Sequence, residues 1–415
     1  MFLLSRLKRT VFVVVPVTSV LLSSGAQAEF VGDSTLKLQL RNFYMNRDFR
    51  DNPGGQSKAE DWGQGFMLRL NSGFTQGRVR FGVDALGLVG VKLDSGNGTS
   101  GTGALQRNSA GQPSDNFSSL GLTAKVRVSQ SMLTVGTHEP LLPIAYRNDT
   151  RLLPQTFEGA QLAFNEVDDL SLLAGQFRST RLRDSSSRDD MLMFADGAAG
   201  GVASDRFNYA GATWQANPAL TGTWFYAEMQ NNYSQHYANI LHDWQLSESL
   251  TLRSDIRYFH SSDQGNTDVD NRNLGGMFTL IHKGHALGLA WQEQDGDTGT
   301  PFISGGTDPW ALNTLTYHHF LRAEEDSWQV RYSYDFAEAG IPGLKLMARY
   351  VRGDNFEIAG TDAKEWERDL DVGYMVQTGS LKGLSLLWRN VAYRGSHTTD
   401  IDENRVIVGY TFNIW

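Results

Sequence analysis

The sequence predicts an all-β fold, an antiparallel β-barrel that spans a membrane, and three observations support this prediction. Segment 328–336 alternates, with Trp328 and Val330 on one face of a strand and Gln329 and Arg331 on the other. The same alternation recurs along the chain, and its polar face often carries an arginine. No segment beyond the N-terminal region approaches the ~20 uninterrupted apolar residues of a membrane-spanning helix. An apolar outside and a charged inside suit a barrel around a wet lumen.

The first 28 residues carry the features of a cleaved export signal. Three basic residues precede an apolar stretch at 11–22, and Ala26-Gln27-Ala28 is the small-x-small pattern that a signal peptidase reads. We therefore expect residues 1–28 to be a signal peptide. Residues 29–415 then form one barrel domain without a linker.

Charge and cysteine content exclude several classes of function. The net charge is −9, and removal of the three basic residues of the signal moves it to −12, which argues against a nucleic-acid partner. The chain has no cysteine, so thiol catalysis and thiolate metal sites are excluded. A closed hydrogen-bonded sheet allows an exported protein of this size to be stable without disulfides.

Period-two patterns define the individual strands. The last strand is the clearest, because Val406, Val408, Tyr410 and Phe412 form an apolar stripe just before the C-terminal Trp415. In other segments the residues that fall on the apolar face are Leu36, Leu38 and Leu40; Phe66, Leu68 and Leu70; Val79, Phe81 and Val83; Leu122, Ala124 and Val126; Leu250, Leu252 and Ile256; and Leu346, Ala348 and Tyr350.

The strand count follows from these patterns and from one general rule. Counting gives about 19 candidates, of which 311–318 is the weakest, whereas single-chain bacterial barrels normally have an even number of strands. We therefore assign 311–318 to a long loop from about residue 295 to residue 326 and predict an 18-stranded antiparallel transmembrane β-barrel.

The connections are expected to be short on one side of the membrane and long on the other, as in bacterial barrels. Short periplasmic turns are expected near 71–77, 217–218 and 337–343. Long extracellular stretches are expected at 46–60, 92–118, 179–205, 261–272 and 353–366.

Five motifs stand out along the chain. They are LRNFYMNRD at 40–48, DWGQGF at 61–66, SGFTQG at 72–77, RLLPQTFEG at 151–159 and GIPG at 340–343. In the order and spacing of these motifs, the chain resembles the OprD family of substrate-specific outer-membrane porins. The first three resemble the first strand of the family, its second strand and the following turn, the fourth resembles the end of the inward-folded third loop, and the last resembles a late turn. The matches cover essentially all of the mature chain.

The resemblance implies passive uptake of small carboxylate-bearing nutrients across the outer membrane of a Gram-negative bacterium, with no cofactor. In the family a line of basic side chains on the barrel wall guides the anion. By position, Arg41, Arg349, Arg389 and Arg405 match this line. Alternation independently places Arg41, Arg349 and Arg405 inward, but it leaves Arg389 open because residues 386–388 are apolar on both faces.

The resemblance also bears on the kind of carboxylate. Leu387 stands where one branch of the family has the first arginine of an Arg-x-Arg motif, which argues against basic amino acids as substrates. The NRDF stretch at 46–49 and the NDTR stretch at 148–151 favour the branch for small or aromatic monocarboxylates. Small organic carboxylates or amino acids and outer-membrane lipid are the expected partners of a monomer or weak homo-oligomer.

The third loop, at about 138–157, is the expected constriction. Its three prolines stiffen it, and a stiff loop folded into the lumen narrows the pore by a constant amount. The candidate residues of this constriction loop are Tyr146, Arg147, Asp149 and Arg151. The alternative is an ordinary exposed loop with an Arg–Asp pair.

Other interpretations stay open at this point. The inward arginines fit a plain hydrated wall in which they pair with acids such as Asp84, Asp255 and Asp335. The whole chain also fits a general diffusion porin, an outer-membrane hydrolase or a soluble exported β-protein. Against an enzyme, the sequence lacks a Gly-x-Ser-x-Gly elbow, an HExxH motif and a P-loop. No metal site is predicted, since the pairs His282/His285 and His318/His319 are more typical of structural or exposed histidines.

Overall fold

A computed structural model describes residues 30–50, 52, 54–96, 98–305 and 309–415. The predicted signal peptide at 1–28 lies outside these residues. Residues 30–32 are helical, and almost all other regular structure is β-strand. Within the described ranges, no helix has the length and apolar character needed to cross a membrane.

Eighteen strands form one closed antiparallel sheet, which confirms the predicted fold class and strand number. In chain order the strands are β1 (Thr35–Arg50), β2 (Lys58–Asn71), β3 (Val79–Asp94), β4 (Asn116–Val128), β5 (Ser131–His138), β6 (Thr156–Val167), β7 (Leu170–Arg181), β8 (Phe207–Asn217), β9 (Leu220–Met229), β10 (Tyr233–Ser247), β11 (Leu250–Asp263), β12 (Asp270–His282), β13 (His285–Asp295), β14 (Asp326–Asp335), β15 (Leu344–Ile358), β16 (Thr361–Met375), β17 (Ser385–Gly395) and β18 (Asp400–Asn413).

Each strand pairs with the next one in the chain, and β18 returns to pair with β1. The β1–β18 register runs from Lys37 opposite Asn413 to Arg50 opposite Asp400. Beyond it, the backbone N–H of Leu36 donates to the carbonyl of Trp415. Because every barrel strand has two neighbours, the sheet has no free edge that another chain could extend.

The alternating faces lie as the sequence predicts. On β14, Trp328 and Val330 are exposed on the outside of the barrel, whereas Gln329 is buried on the inside. Val79, Phe81, Leu120 and Leu122 form a similar exposed apolar surface on β3 and β4. A face so apolar and so exposed is suited to lipid.

The connections show the expected asymmetry, with one correction. Short turns join one set of strand ends, and the start of β1 and the end of β18 lie on that side, which is the periplasmic side of bacterial barrels. On the opposite side the stretches 95–115, 182–206 and 296–325 are long, and 311–318 lies outside the barrel strands as expected.

Three of the expected long loops were predicted too long. The expected loops 46–60, 261–272 and 353–366 shrink to 51–57, 264–269 and 359–360. The strands continue past the apolar band of the barrel, where their outward residues become polar. The composition therefore looks like that of a loop although backbone pairing persists.

Two of the long connections fold into the lumen and fill part of it. Residues 139–155, between β5 and β6, and residues 309–318, within the β13–β14 connection, contact the inner wall. A two-stranded pairing of Met193–Phe194 with Phe302–Ile303 joins the β7–β8 connection to the β13–β14 connection. The interior is therefore a narrowed passage, and these two segments are its candidate functional site.

Candidate functional site

Residues 139–155, which we call the first inward segment, pack against the inner face of β2 through two leucines. Leu152 and Leu153 are fully buried in a cluster with Phe43 and Met67. At Gly65 an added Cβ would lie 2.9 Å from the carbonyl oxygen of Leu152, so a side chain there would push the segment off the wall. The predicted constriction loop is thus folded inward, as expected.

Arginines of the wall bind this segment through its acids. The Nη1 atom of Arg41 donates to Asp149 at 2.6 Å and to the carbonyl oxygen of Arg151 at 2.7 Å. Arg69 pairs with Glu139 at 3.0 Å. Arg41 therefore points inward as predicted, but its guanidinium is largely occupied by the segment.

The four predicted residues of the constriction loop have different surroundings. Arg147 lies 3.4 Å from Glu139 and 3.5 Å from Asp149, with part of its side chain exposed to the lumen. Tyr146 lies against Trp310, with 4.8 Å between the ring centroids. Arg151 is buried and donates to the carbonyl of Thr102 at 3.0 Å. Tyr146, Arg147 and Asp149 are thus placed near the passage, and Arg151 has a structural position.

Residues 309–318, which we call the second inward segment, are held by carboxylates of β16. The two oxygens of Glu367 accept the backbone N–H groups of Tyr317 and His318 at 2.9 and 2.8 Å. Asp369 accepts the hydroxyl of Thr316 at 2.8 Å. Both carboxylates are completely buried, so the acids of this strand serve to anchor the chain.

Arg405 lies between the two inward segments and is completely buried. It pairs with Glu403 and donates to the carbonyl oxygens of Thr150 at 3.3 Å and Thr316 at 3.1 Å. One wall arginine thus joins both segments. A solute reaches this guanidinium only if one of these contacts opens.

Arg349 and Arg389 face the lumen, each with a carboxylate partner on β16. Arg349 contacts Asp369 at 2.7 Å, and Arg389 binds Asp371 through two hydrogen bonds of 2.7 and 2.6 Å. Their side chains are 14% and 22% exposed, so both guanidinium groups keep an edge towards the passage. The open question of Arg389 is thereby answered, since Trp388 points outward and Arg389 inward.

Two features of this site were missed from sequence. The second inward segment was assigned to a loop without any inward role. Its anchor is a row of acids at every second position of β16, namely Glu365, Glu367, Asp369 and Asp371. The second feature is Arg331, which alternation places on the polar face but which is not among the four arginines that match the family line.

Metal chemistry finds no support in the described part of the chain, where no group of three or more His, Asp or Glu side chains could hold a metal ion. His318 lies 2.7 Å from Glu365 and stacks near Tyr393, a packed position in the second inward segment. The site therefore consists of hydrogen-bonding and ionic groups around a passage.

A closed 18-stranded barrel with an apolar exterior, narrowed by two inward segments with arginines beside them, defines an outer-membrane porin. The chain belongs to the OprD family: the model of the family described as outer membrane porin, OprD family, matches residues 28–414. Like other members, it is a substrate-specific porin of the Gram-negative outer membrane.

Individual relatives agree over almost their whole length. The porin-like protein GalP of Pseudomonas putida is 40% identical over 98% of this chain and 99% of its own. The crystal structure of a BenF-like porin from Pseudomonas fluorescens superposes with a TM-score of 0.90 at 40% identity, covering 93% of this chain and all of that one. The structure of Pseudomonas aeruginosa OpdK with vanillate has a TM-score of 0.86 at 37% identity, covering 92% and 99%.

Proposed function

We propose that this porin admits small organic carboxylates, including aromatic monocarboxylates, and carries them passively along the inward arginines. The observation that carries the proposal is the position of Arg349 and Arg389, whose exposed edges face the passage beside the inward segments. The vanillate in the OpdK structure, an aromatic carboxylate in a related barrel, supports this solute class.

The chemistry of passage explains why arginine suits this task. A carboxylate that enters a narrow pore loses part of its hydration shell, and a planar guanidinium replaces it with two parallel hydrogen bonds. Conduction also requires that the ion leave again. Asp369 and Asp371 already occupy part of each guanidinium, so a solute competes with them and binds weakly. No bond of the solute is made or broken, and we propose no enzymatic role.

The test combines electrical and uptake measurements on one set of variants. In planar bilayers, benzoate is expected to reduce the small-ion current of the wild-type channel, and vesicles containing the protein should accumulate it. Arg349→Ala should weaken the block several-fold, because the anion loses one guanidinium and Asp369 loses its partner. Arg178→Ala, on the exposed outer part of β7, is the matched control.

Two results would contradict the proposal. Equal uptake of benzoate and of a neutral sugar of similar size would point to a general diffusion porin. Wild-type benzoate block in the Arg349→Ala channel would refute the claim that carboxylates pass along the inward arginines.

A further inference from the structure

The arginines around the two inward segments are almost all neutralised by acids of the protein. The shortest carboxylate distances lie between 2.5 and 3.4 Å for the five arginines concerned. These are Arg41, Arg147, Arg349, Arg389 and Arg405. Each of the four arginines that match the family line is thus compensated before any solute arrives.

Arg331 differs from all of them. Within the described residues its side chain makes no ion pair and no hydrogen bond, and it is exposed. The charges that act on it most strongly are those of Arg349, which repels it, and of Asp371. Asp371 is already bound through both oxygens by Arg389. An exposed guanidinium without an acid is therefore available to a solute.

The position of Arg331 along β14 places it at the exit of the constriction. Ser327 and Gln329, the preceding inward positions, are buried beneath the second inward segment, and Gln329 donates to Asn313 at 2.8 Å. Arg331 is the next inward position towards the periplasmic end, and it is the first one on this strand that the segment leaves exposed.

The neighbouring strand places no acid beside this side chain. Gly288 is the register partner of Arg331 on β13, and Arg349 is its partner on β15. Gly288 has no side chain, and the place of its missing Cβ is taken by the uncharged ends of Met277 and Thr279, at 2.6 and 3.2 Å. The two arginines on adjacent strands concentrate positive charge on this stretch of the wall, and an anion bound beside them relieves their repulsion.

We propose that Arg331 is the specificity-determining residue that receives the carboxylate group as it leaves the constriction and gives the pore its preference for anions. The inference rests on the proposed carboxylate uptake and deepens it. Because Arg331 has no internal partner, a carboxylate binds it without displacing an acid of the protein. Its removal also withdraws a positive charge without exposing a negative one.

The test compares three variants in planar bilayers with a potassium chloride gradient and then with added benzoate. Arg331→Ala is expected to shift the reversal potential towards cation preference and to weaken benzoate block several-fold. Gly288→Asp supplies the missing acid beside Arg331 and should have the same two effects, once the flexible end of Met277, 2.6 Å from the new Cβ, and the Thr279 hydroxyl, 3.2 Å from it, have moved aside. Arg368→Ala, on the outer face of β16, removes an arginine outside the lumen and should behave as wild type.

The outcomes separate this inference from the proposed function. If wild type is blocked by benzoate and Arg331→Ala is blocked equally with an unchanged reversal potential, the role of Arg331 is refuted while carboxylate uptake stands. If wild type shows no benzoate block or uptake, the proposed function fails, and this inference fails with it. Since the Arg331 side chain has no ion pair and no hydrogen bond to lose, the variant should fold normally, which heat-dependent gel mobility verifies.

Discussion

At the scale of single residues, the inward arginines of this porin differ in what they contact. Arg405 is buried between two carbonyl groups, Arg349 and Arg389 share their guanidinium groups with acids, and Arg331 has no partner. An inward arginine can therefore hold the inward segments in place, form a weak binding site or remain an uncompensated charge, depending on the groups around it. Strand alternation assigns Arg331, Arg349 and Arg405 to the inner face and leaves Arg389 open, and it does not separate these roles.

The contacts of Arg41 predict that it holds the first inward segment by the geometry of its hydrogen bonds and not by its positive charge alone. Its fork reaches both Asp149 and the carbonyl of Arg151, and one ammonium group does not reproduce this geometry. Arg41→Lys is therefore expected to loosen the first inward segment almost as much as Arg41→Ala, at a cost of about 1.5–3 kcal/mol. Single-channel recordings should show larger current fluctuations in both variants.

A matched variant on the same strand controls for the loss of a positive charge. Lys37 faces the lumen at an exposed position of β1, and Lys37→Ala should leave the fluctuations unchanged. If Arg41→Lys behaves as wild type and only Arg41→Ala differs, Arg41 acts by its charge and the anchoring explanation is wrong.

At the scale of elements, the two inward segments are anchored by opposite charges. Wall arginines bind acids and carbonyls of residues 139–155, whereas wall acids bind backbone N–H groups and a hydroxyl of residues 309–318. Arg405 bonds to both segments and couples them. A buried carboxylate is costly unless hydrogen bonds compensate it, so such a row of acids holds its segment firmly.

Glu325 makes the attachment of the β13–β14 connection sensitive to pH. It is fully buried just before β14, and one of its carboxylate oxygens has no hydrogen-bond partner. Burial, together with the charge of Glu365, raises the pKa of Glu325 well above its ordinary value of about 4.3. When the β13–β14 connection is packed in place, Glu325 therefore keeps its proton at a pH at which the detached segment would lose it. Its stability is complete below about pH 4.3 and declines as the pH rises through the raised pKa.

Limited proteolysis at a series of pH values measures this effect. Cleavage within residues 309–325 should become several-fold faster between mildly acidic and alkaline pH. Glu325→Gln, which imitates the protonated carboxyl, should remove the dependence, while Glu324→Gln at the exposed neighbouring position should keep it. A Glu325→Gln protein with the wild-type pH profile would show that another group is responsible.

At the scale of the whole molecule, closure of the sheet provides both stability and the pore. The β1–β18 pairing joins the first and last strands of the sheet. The chain has no cysteine, so the barrel is held together by this closure and not by disulfides. The outer face is apolar and the inner face charged, so the same substitution has opposite consequences on the two faces.

An arginine added to each face tests this difference. Leu122 on β4 is 57% exposed on the outer face, and Leu122→Arg should cost about 2–4 kcal/mol in refolding into lipid vesicles, read from urea titration. Thr411→Arg, inward on β18, should cost far less because its charge remains in water. Equal losses in the two variants would contradict the assignment of the faces.

Much of the fold was predictable because the strands of a membrane barrel produce an alternating pattern within short stretches of sequence. Alternation at Trp328–Val330 and at Val406–Phe412 depends only on neighbouring residues. The inward direction of Arg41, Arg349 and Arg405 follows from the same local pattern. The second inward segment was not predictable in this way, since its anchors at Glu367 and Asp369 lie about fifty positions away in the chain. Strand ends were underestimated where outward residues turn polar above the apolar band.

The sequence by itself predicted an 18-stranded barrel with an apolar exterior and arginines inside, because local periodicity marks the strands and a sheet that spans lipid closes, normally with an even number of strands. Only the tertiary structure decided which of those arginines is free. That depends on which acids and carbonyl groups the inward segments bring to each guanidinium, as Asp149 is brought to Arg41 and none to Arg331. Such contacts are set by folding of distant segments into the lumen, and no local pattern encodes them.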